Sequence, residues 1–138
     1  MGYKVKVTGN IGTEKYYTKL STEDNIIMSD EPIKFGGQNK GFNPFELLAS
    51  SLAACTLATL KAYIDMKGWD IPEVEVEVEF ESFPKEKQSI FKRYIDFKGA
   101  NLTEKEKNRL FQIAEKCPVH NLLLNKIEIF SELKSDIL

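Results

Sequence analysis

The chain has 138 residues, of which 42% are hydrophobic and 29% are charged, and its formal net charge is −2 at pH 7. That length suits one globular domain, which can fold without a disulfide or a metal. The weak negative charge and the scattered lysines give no reason to expect nucleic acid as a partner. The N-terminus lacks a secretion signal, and the uncharged stretch 47–60 is too short to cross a bilayer. We therefore expect a soluble cytoplasmic protein that binds neither nucleic acid nor membrane.

The first forty residues predict a small sheet followed by a loop. Residues 3–7 alternate polar and apolar side chains as a strand does, and residues 15–20 and 25–28 resemble two further short strands. Pro32 and the glycines between residues 36 and 41 predict a loop before the next element.

The next segment predicts a long helix. Asn43 suits the N-cap, Pro44 the first helical position and Glu46 the position that completes a capping box. Gly68 predicts that the helix ends near residue 67. The helix interior is uncharged on every side, so it should be buried all round. Since one small sheet covers only one side, we expect a second subunit to cover the other.

The second half of the chain predicts a hairpin, two helices and a last strand. These elements are strands over 73–81 and 91–98, a helix opened by a capping box of Thr103 and Glu106, a short helix through Leu124 and a strand over 126–133. Cys117 and Pro118 separate the two helices. Because strands and helices are segregated along the chain, the predicted fold class is α+β.

The two cysteines are the candidate reactive groups. In a reducing cytosol, Cys55 and Cys117 are expected to be buried bystanders, metal ligands or redox groups. Cys55 lies in the middle of the long helix, where a thiol packs as a small hydrophobe unless a cation or donor from elsewhere activates it. Cys117 can cap the helix that Pro118 begins, where unpaired N–H groups favour a thiolate. Local physics therefore makes Cys117 the more acidic thiol.

His120 is the single histidine and lies three residues after Cys117. It could exchange a proton with that thiol or have a structural role. Cys55, Cys117 and His120 would leave a structural zinc site one ligand short, so we predict neither a metal nor another cofactor. Spacing alone does not show that the two cysteines meet, and the residues by themselves predict only a dithiol.

Two motifs extend this interpretation. One runs from Gly36 to Leu48 and continues into Ala53-Ala54-Cys55-Thr56; the other is Lys116-Cys117-Pro118-Val119-His120. Together they resemble the signature of the osmotically inducible protein C and organic hydroperoxide resistance (OsmC/Ohr) family, and the OsmC-like members most closely. The resemblance implies a single OsmC-like domain over residues 1–138. It also implies an intertwined homodimer in which two central helices are wrapped by antiparallel sheets.

The resemblance further implies a thiol-dependent peroxidase that acts on organic hydroperoxides in oxidative stress. Cys55 would attack the peroxide, and Cys117 would resolve the sulfenic acid into a disulfide that a dithiol such as dihydrolipoamide reduces. Local physics and the resemblance disagree about which thiol reacts first. We follow the resemblance, because tertiary neighbours can activate a buried thiol.

The chain departs from the family pattern at two places. Phe45 stands where well-studied members have a catalytic glutamate, and the N-terminal strands contain no arginine. The candidate supporting residues are Glu46, which capping already explains, Arg93, which could instead pair with glutamates of the neighbouring strand, and His120. The alternative function is therefore a non-catalytic or weakly reactive protein that binds a hydrophobic small molecule at the dimer interface.

Overall fold

The computed structural model describes residues 2–134, and strands and helices are segregated along them. The strands are β1 (Thr8–Ile11), β2 (Thr18–Ser21), β3 (Ile26–Ser29), β4 (Glu73–Phe83) and β5 (Gln88–Lys98). The α-helices are α1 (Pro44–Lys67), α2 (Glu104–Ala114) and α3 (Pro118–Leu123). Single turns of 3₁₀ helix lie at Ile33–Phe35, inside the predicted loop, and at Pro84–Glu86. The α+β class is confirmed.

The chain divides into two compact units. The first contains the residues up to Ser51 together with Glu77–Tyr94, and the second contains Leu52–Val76 together with the residues from Ile95 onward. Helix α1 and strands β4 and β5 each contribute residues to both units. A single domain over residues 1–138 stays a prediction.

In the first unit, β1, β2 and β3 form an antiparallel sheet in that order. Strands β2 and β3 correspond to the predicted strands 15–20 and 25–28, with their bounds shifted toward the C-terminus. Strands β4 and β5 pair with each other and extend the predicted hairpin strands toward the turn that joins them.

Two predicted strands are wrong. Residues 3–7 and 126–133 are not in β structure, and their apolar side chains are exposed, 95% for Tyr3 and 88% for Phe130. An alternating sequence becomes a strand only where a neighbouring strand accepts and donates its backbone hydrogen bonds. Within residues 2–134, neither segment pairs with a strand in this way.

Asp30 organises the loop between β3 and α1. Its side chain is 1% exposed and accepts hydrogen bonds from the backbone N–H groups of Glu31 (2.8 Å), Gln38 (3.2 Å) and Lys40 (3.1 Å). Burial acts to raise the pKa of the Asp30 carboxyl, but these donors outweigh it and lower that pKa below its usual value. Gly37 passes so close to the Glu31 carbonyl that a Cβ there would overlap it. The carboxylate thus fixes the chain that leads into α1.

Helix α1 begins and ends where the sequence predicts. The backbone N–H of Asn43 donates to Glu46 Oε1, and the N–H of Glu46 donates to Asn43 Oδ1, both at 2.8 Å. This is a reciprocal capping box. At the other end, Gly68 adopts the left-handed conformation that closes a helix, with φ of 67°.

Within one chain, the buried residues of α1 form a single stripe along the helix. Its buried residues are Leu52, Thr56, Leu60, Tyr63 and Ile64. Only 28% of its most apolar 18-residue window is buried, so burial all round is not achieved within one chain. With a mean hydropathy of 1.5, that window is long and apolar enough to cross a membrane. A core helix of a soluble protein has the same character when a second surface covers it.

The core of the second unit holds α2 in place. Leu60 of α1 and Leu110 of α2 are both 0% exposed and belong to one apolar cluster. The predicted capping box of Thr103 and Glu106 is confirmed, with hydrogen bonds of 2.9 and 3.1 Å. The backbone N–H of Cys117 donates to a carbonyl in the last turn of α2 at 3.3 Å, so this core also fixes Cys117.

Replacing Asp30 by asparagine should lower the melting temperature and flatten its dependence on acid pH. Because the pKa of Asp30 is lowered in the folded state, its ionised form stabilises the protein above the unfolded-state pKa. That contribution is lost as the pH falls through the folded-state value. Melting followed by circular dichroism from neutral to acid pH measures both effects, with exposed Asp24→Asn as the control. Equal melting curves for the two variants would contradict the role assigned to Asp30.

Candidate functional site

Cys55 and Cys117 meet within the second unit. Cys55 lies in the middle of α1 and is half-buried, whereas Cys117 lies between α2 and α3 and is 0% exposed. Both are reduced, and a hydrogen bond joins their side chains. The fold therefore brings together two thiols that are far apart in the sequence.

The sequence around Cys117 explains where its sulfur lies. Cys117 is the N-cap of α3, and Pro118 supplies the first helical position, as predicted. The Cys117 side chain makes no capping hydrogen bond, but the backbone N–H groups of Val119 and His120 lie near its sulfur and act to lower the pKa of this thiol. The N–H of Val119 also acts on the sulfur of Cys55, so it lies beside both thiols.

Two threonines of α1 interact with the two sulfurs, one threonine with each sulfur. Thr56 is 0% exposed, and its hydroxyl donates to the Leu52 carbonyl at 2.7 Å. The same hydroxyl interacts with the sulfur of Cys117, and the hydroxyl of Thr59 interacts with that of Cys55. We did not identify these threonines from the sequence. The sequence signal was a pair of hydroxyl residues, one directly after Cys55 and one four residues after Cys55. The two threonines are three positions apart, so they share a helix face.

These surroundings shift the two pKa values in opposite directions. Burial raises the pKa of the Cys55 thiol, and its hydrogen bond to Cys117 raises it further. Burial also acts against ionisation of Cys117, but the bond from Cys55, the two backbone N–H groups and the Thr56 hydroxyl together lower its pKa. When the pair has lost one proton, the charge therefore rests on Cys117, and Cys55 donates to it. This is the order that local physics predicts from the sequence.

The other candidate residues occupy different places. His120 follows Cys117 on α3, and its Nδ1 lies 3.6 Å from Glu115 Oε2. Glu46 and Arg93 belong to the first unit, where Glu46 completes the α1 capping box and Arg93 is half-buried on β5. Across residues 2–134, no three His, Cys, Asp or Glu side chains gather closely enough to hold a metal ion. The thiol pair is the candidate site of the second unit.

Comparison with known families places this thiol pair in context. The sequence profile described as OsmC-like protein matches residues 37–132, a span that includes both cysteines. The chain belongs to the OsmC-like family. No curated protein is significantly similar to it in sequence.

Solved structures share the fold of this OsmC-like protein. A Psychrobacter arcticus protein named for osmotic stress induction and detoxification is 25% identical, with a TM-score of 0.73 over 88% of this chain and 89% of that one. An OsmC-like protein of Mycoplasma pneumoniae is also 25% identical, with a TM-score of 0.68 over 90% and 89%. An organic hydroperoxide resistance protein of Legionella pneumophila is 22% identical, with a TM-score of 0.63 over 88% and 89%. The predicted OsmC-like fold is confirmed, and α1 is a helix of a soluble fold.

Position 45 is an aromatic packing position in this OsmC-like protein. The ring of Phe45 stacks on that of Phe80, with centroids 5.5 Å apart and an angle of 22° between the planes. Phe80 in turn contacts the ring of Phe91 at 4.8 Å. The first unit therefore uses this residue for apolar contact.

Replacing Thr56 by valine should raise the pKa of Cys117, because the variant keeps the side-chain shape and loses the hydroxyl that interacts with this sulfur. Ultraviolet thiolate absorbance across a pH titration measures the effect. The coupled pair should lose its protons in two steps. Thr56→Val should move the lower step upward, whereas Thr59→Val, the matched control, should act on the upper step. Identical titrations of the parent and Thr56→Val would show that the hydroxyl has no such role.

Proposed function

We propose that this OsmC-like protein is a thiol peroxidase that reduces organic hydroperoxides. The observation that carries the proposal is the hydrogen-bonded pair of Cys55 and Cys117. Cys55 attacks the peroxide and becomes a sulfenic acid, which condenses with the thiol of Cys117 to form a disulfide. A dithiol reductant such as dihydrolipoamide then restores both thiols. The name of the Legionella relative, an organic hydroperoxide resistance protein, supports this function.

The preference for organic rather than inorganic peroxides rests on apolar surface. In the unit that contains the thiols, Phe111, Leu122 and Leu124 are 62%, 55% and 76% exposed. Exposed apolar side chains favour contact with an apolar molecule over contact with water. This supports a substrate with a hydrocarbon part, such as an alkyl or aryl hydroperoxide.

The protein acts as a cytoplasmic homodimer in this proposal. A row of small residues, Ser51, Ala54, Ala58 and Ala62, is exposed along α1. These residues recur every three or four positions, so they share one side of the helix and allow close approach of another surface. A second copy of the chain would cover this row and the exposed apolar residues at 3–7 and 126–133. Arg93 and His120 remain candidate supporting residues for the thiols.

An alternative function is the binding of a hydrophobic small molecule at the dimer interface with little or no thiol chemistry. Phe45 favours it, because an exposed aromatic stands at the position of the family's catalytic glutamate. The two functions differ in whether Cys55 changes its oxidation state. Mass spectrometry of thiol states after one equivalent of cumene hydroperoxide distinguishes them.

Oxidised protein should contain an intramolecular Cys55–Cys117 disulfide that dihydrolipoamide reduces. Cys117→Ser should accumulate sulfenic acid or higher oxides on Cys55, because no second thiol is present to condense with it. Cys55→Ser should lose catalytic peroxide consumption. Peptide mapping and a peroxide consumption assay measure these outcomes, with hydrogen peroxide as the comparison substrate. Peroxide consumption by Cys55→Ser at the parental rate would reverse the two roles.

The dimer should dissociate when a charge is placed on the exposed small face of α1. Ala58→Arg adds a long cation where a second chain would approach closely, so burying it would require desolvation of an unpaired charge. Light scattering coupled to size exclusion measures the mass. Glu86→Arg, in the exposed turn between β4 and β5, is the control for added charge. A folded parental monomer at micromolar concentration would contradict the homodimer.

A further inference from the structure

The two thiols have unequal access to solvent as well as unequal surroundings. Cys55 is half-buried, whereas Cys117 is 0% exposed and has Cys55, Thr56 and two backbone N–H groups around its sulfur. The sulfur that best holds negative charge is therefore the one that a peroxide reaches least easily. A peroxidase with this geometry needs a means of moving the charge to Cys55.

We propose that Cys117 is the general base of the reaction: its thiolate takes the proton of the Cys55 thiol through the hydrogen bond between them, as Cys55 attacks the peroxide. This inference rests on the proposed function and adds a role for Cys117 that precedes disulfide formation. The base is the hydrogen-bond partner of the reacting thiol, and proton transfer first requires a partner within hydrogen-bond reach.

The steps balance without a further group. The proton passes from Cys55 Sγ to Cys117 Sγ, and the Cys55 sulfur attacks the terminal oxygen of the hydroperoxide. As the O–O bond breaks, the sulfur is oxidised to a sulfenic acid and the peroxide is reduced to an alkoxide. The new Cys117 thiol returns its proton to the alkoxide, which leaves as an alcohol. Cys117, again a thiolate, attacks the sulfenic sulfur and releases hydroxide as the disulfide forms.

Thr56 is the positioning residue for this base. Its hydroxyl has one proton, which it donates to the Leu52 carbonyl at 2.7 Å or directs at the Cys117 sulfur. In an α-helix the Leu52 carbonyl also accepts the backbone N–H of residue 56, so it keeps a partner when the hydroxyl turns away. The hydroxyl can therefore follow the charge of Cys117 as the proton moves.

The titratable and charged groups near Cys117 come from α1, from the connection between α2 and α3, and from α3. Cys55 is the one on α1, within the contacts that surround the Cys117 sulfur. Glu115 and Lys116 precede Cys117, and His120, whose Nδ1 is 3.6 Å from Glu115 Oε2, follows it. His120 therefore lies on the Cys117 side of the pair. His120→Gln should be carried through the same measurements as a reference for the loss of that side chain.

The test separates the first chemical step from disulfide formation. Rapid mixing with cumene hydroperoxide, followed by dimedone trapping and mass spectrometry, gives the rate at which Cys55 becomes a sulfenic acid. Cys117→Ser should slow this step about a hundredfold at neutral pH, the lower part of the range for general acid–base groups. The difference should shrink as alkaline pH ionises Cys55 directly. A Cys117→Ser rate equal to that of the parent at neutral pH would overturn the general-base role and leave Cys117 as a resolving thiol only.

A second variant and a second probe keep the inference testable if serine perturbs the fold. Thr56→Val should move the pH profile of the first step toward alkaline pH, and Thr56→Ser should restore it, since only serine keeps the hydroxyl. If Thr56 only fills space in the fold, valine should preserve the pH profile of the first step better than serine does.

Iodoacetamide, a neutral electrophile, replaces the peroxide as a probe of Cys55. Faster alkylation of Cys55 in the parent than in Cys117→Ser supports the general-base role of Cys117. Parental protein that alkylates in this way but forms no sulfenic acid would refute the peroxidase alone, and equal alkylation rates would refute the base.

Discussion

The hydrogen bond between Cys55 and Cys117 is the interaction that makes the two thiols unequal in acidity. It exists because the apolar core of the second unit packs α2 on α1, and Pro118 starts α3 directly after Cys117, so that this N-cap residue lies against α1. Neither sulfur would have its present character without the other, since each is part of the other's electrostatic surroundings. The pair is therefore better described as one two-proton group than as two independent thiols.

Local physics favours Cys117 as the more acidic thiol, whereas the family resemblance favours Cys55 as the thiol that attacks the peroxide. The two statements are compatible because the two thiols differ in burial and in the hydrogen-bond donors around them. The capping position of Cys117 favours its thiolate, as the sequence around Pro118 indicates. The greater access of Cys55 favours it as the group that meets a substrate. Acidity and nucleophilic attack need not reside on one sulfur when a proton can pass between two. A thiolate held by several donors is also a weaker nucleophile, which again favours attack by the less stabilised sulfur.

Features with a local cause were predictable from the sequence, and features that need a distant partner were not. The capping boxes of Asn43 with Glu46 and of Thr103 with Glu106 formed as predicted, because each bond joins residues three apart. Strands over 3–7 and 126–133 did not form, because strand pairing depends on a neighbour that an alternating pattern cannot identify. The meeting of Cys55 with Cys117 likewise depends on tertiary packing, and so do the contacts of Thr56 and Thr59 that the sequence analysis missed.

Phe45 is the clearest departure of this chain from the family resemblance. Where the resemblance expects a carboxylate, this chain places Phe45 against Phe80, which adds apolar surface and removes a charge. An ionisable partner for Cys55 must then come from elsewhere, and Cys117 already lies within hydrogen-bonding distance. Phe45 in place of that glutamate is compatible with the proposed peroxidase if Cys117 takes over proton transfer as we propose. The same replacement in a chain without a stabilised second thiol would leave Cys55 with a raised pKa and no base, which is the condition expected of a binding protein.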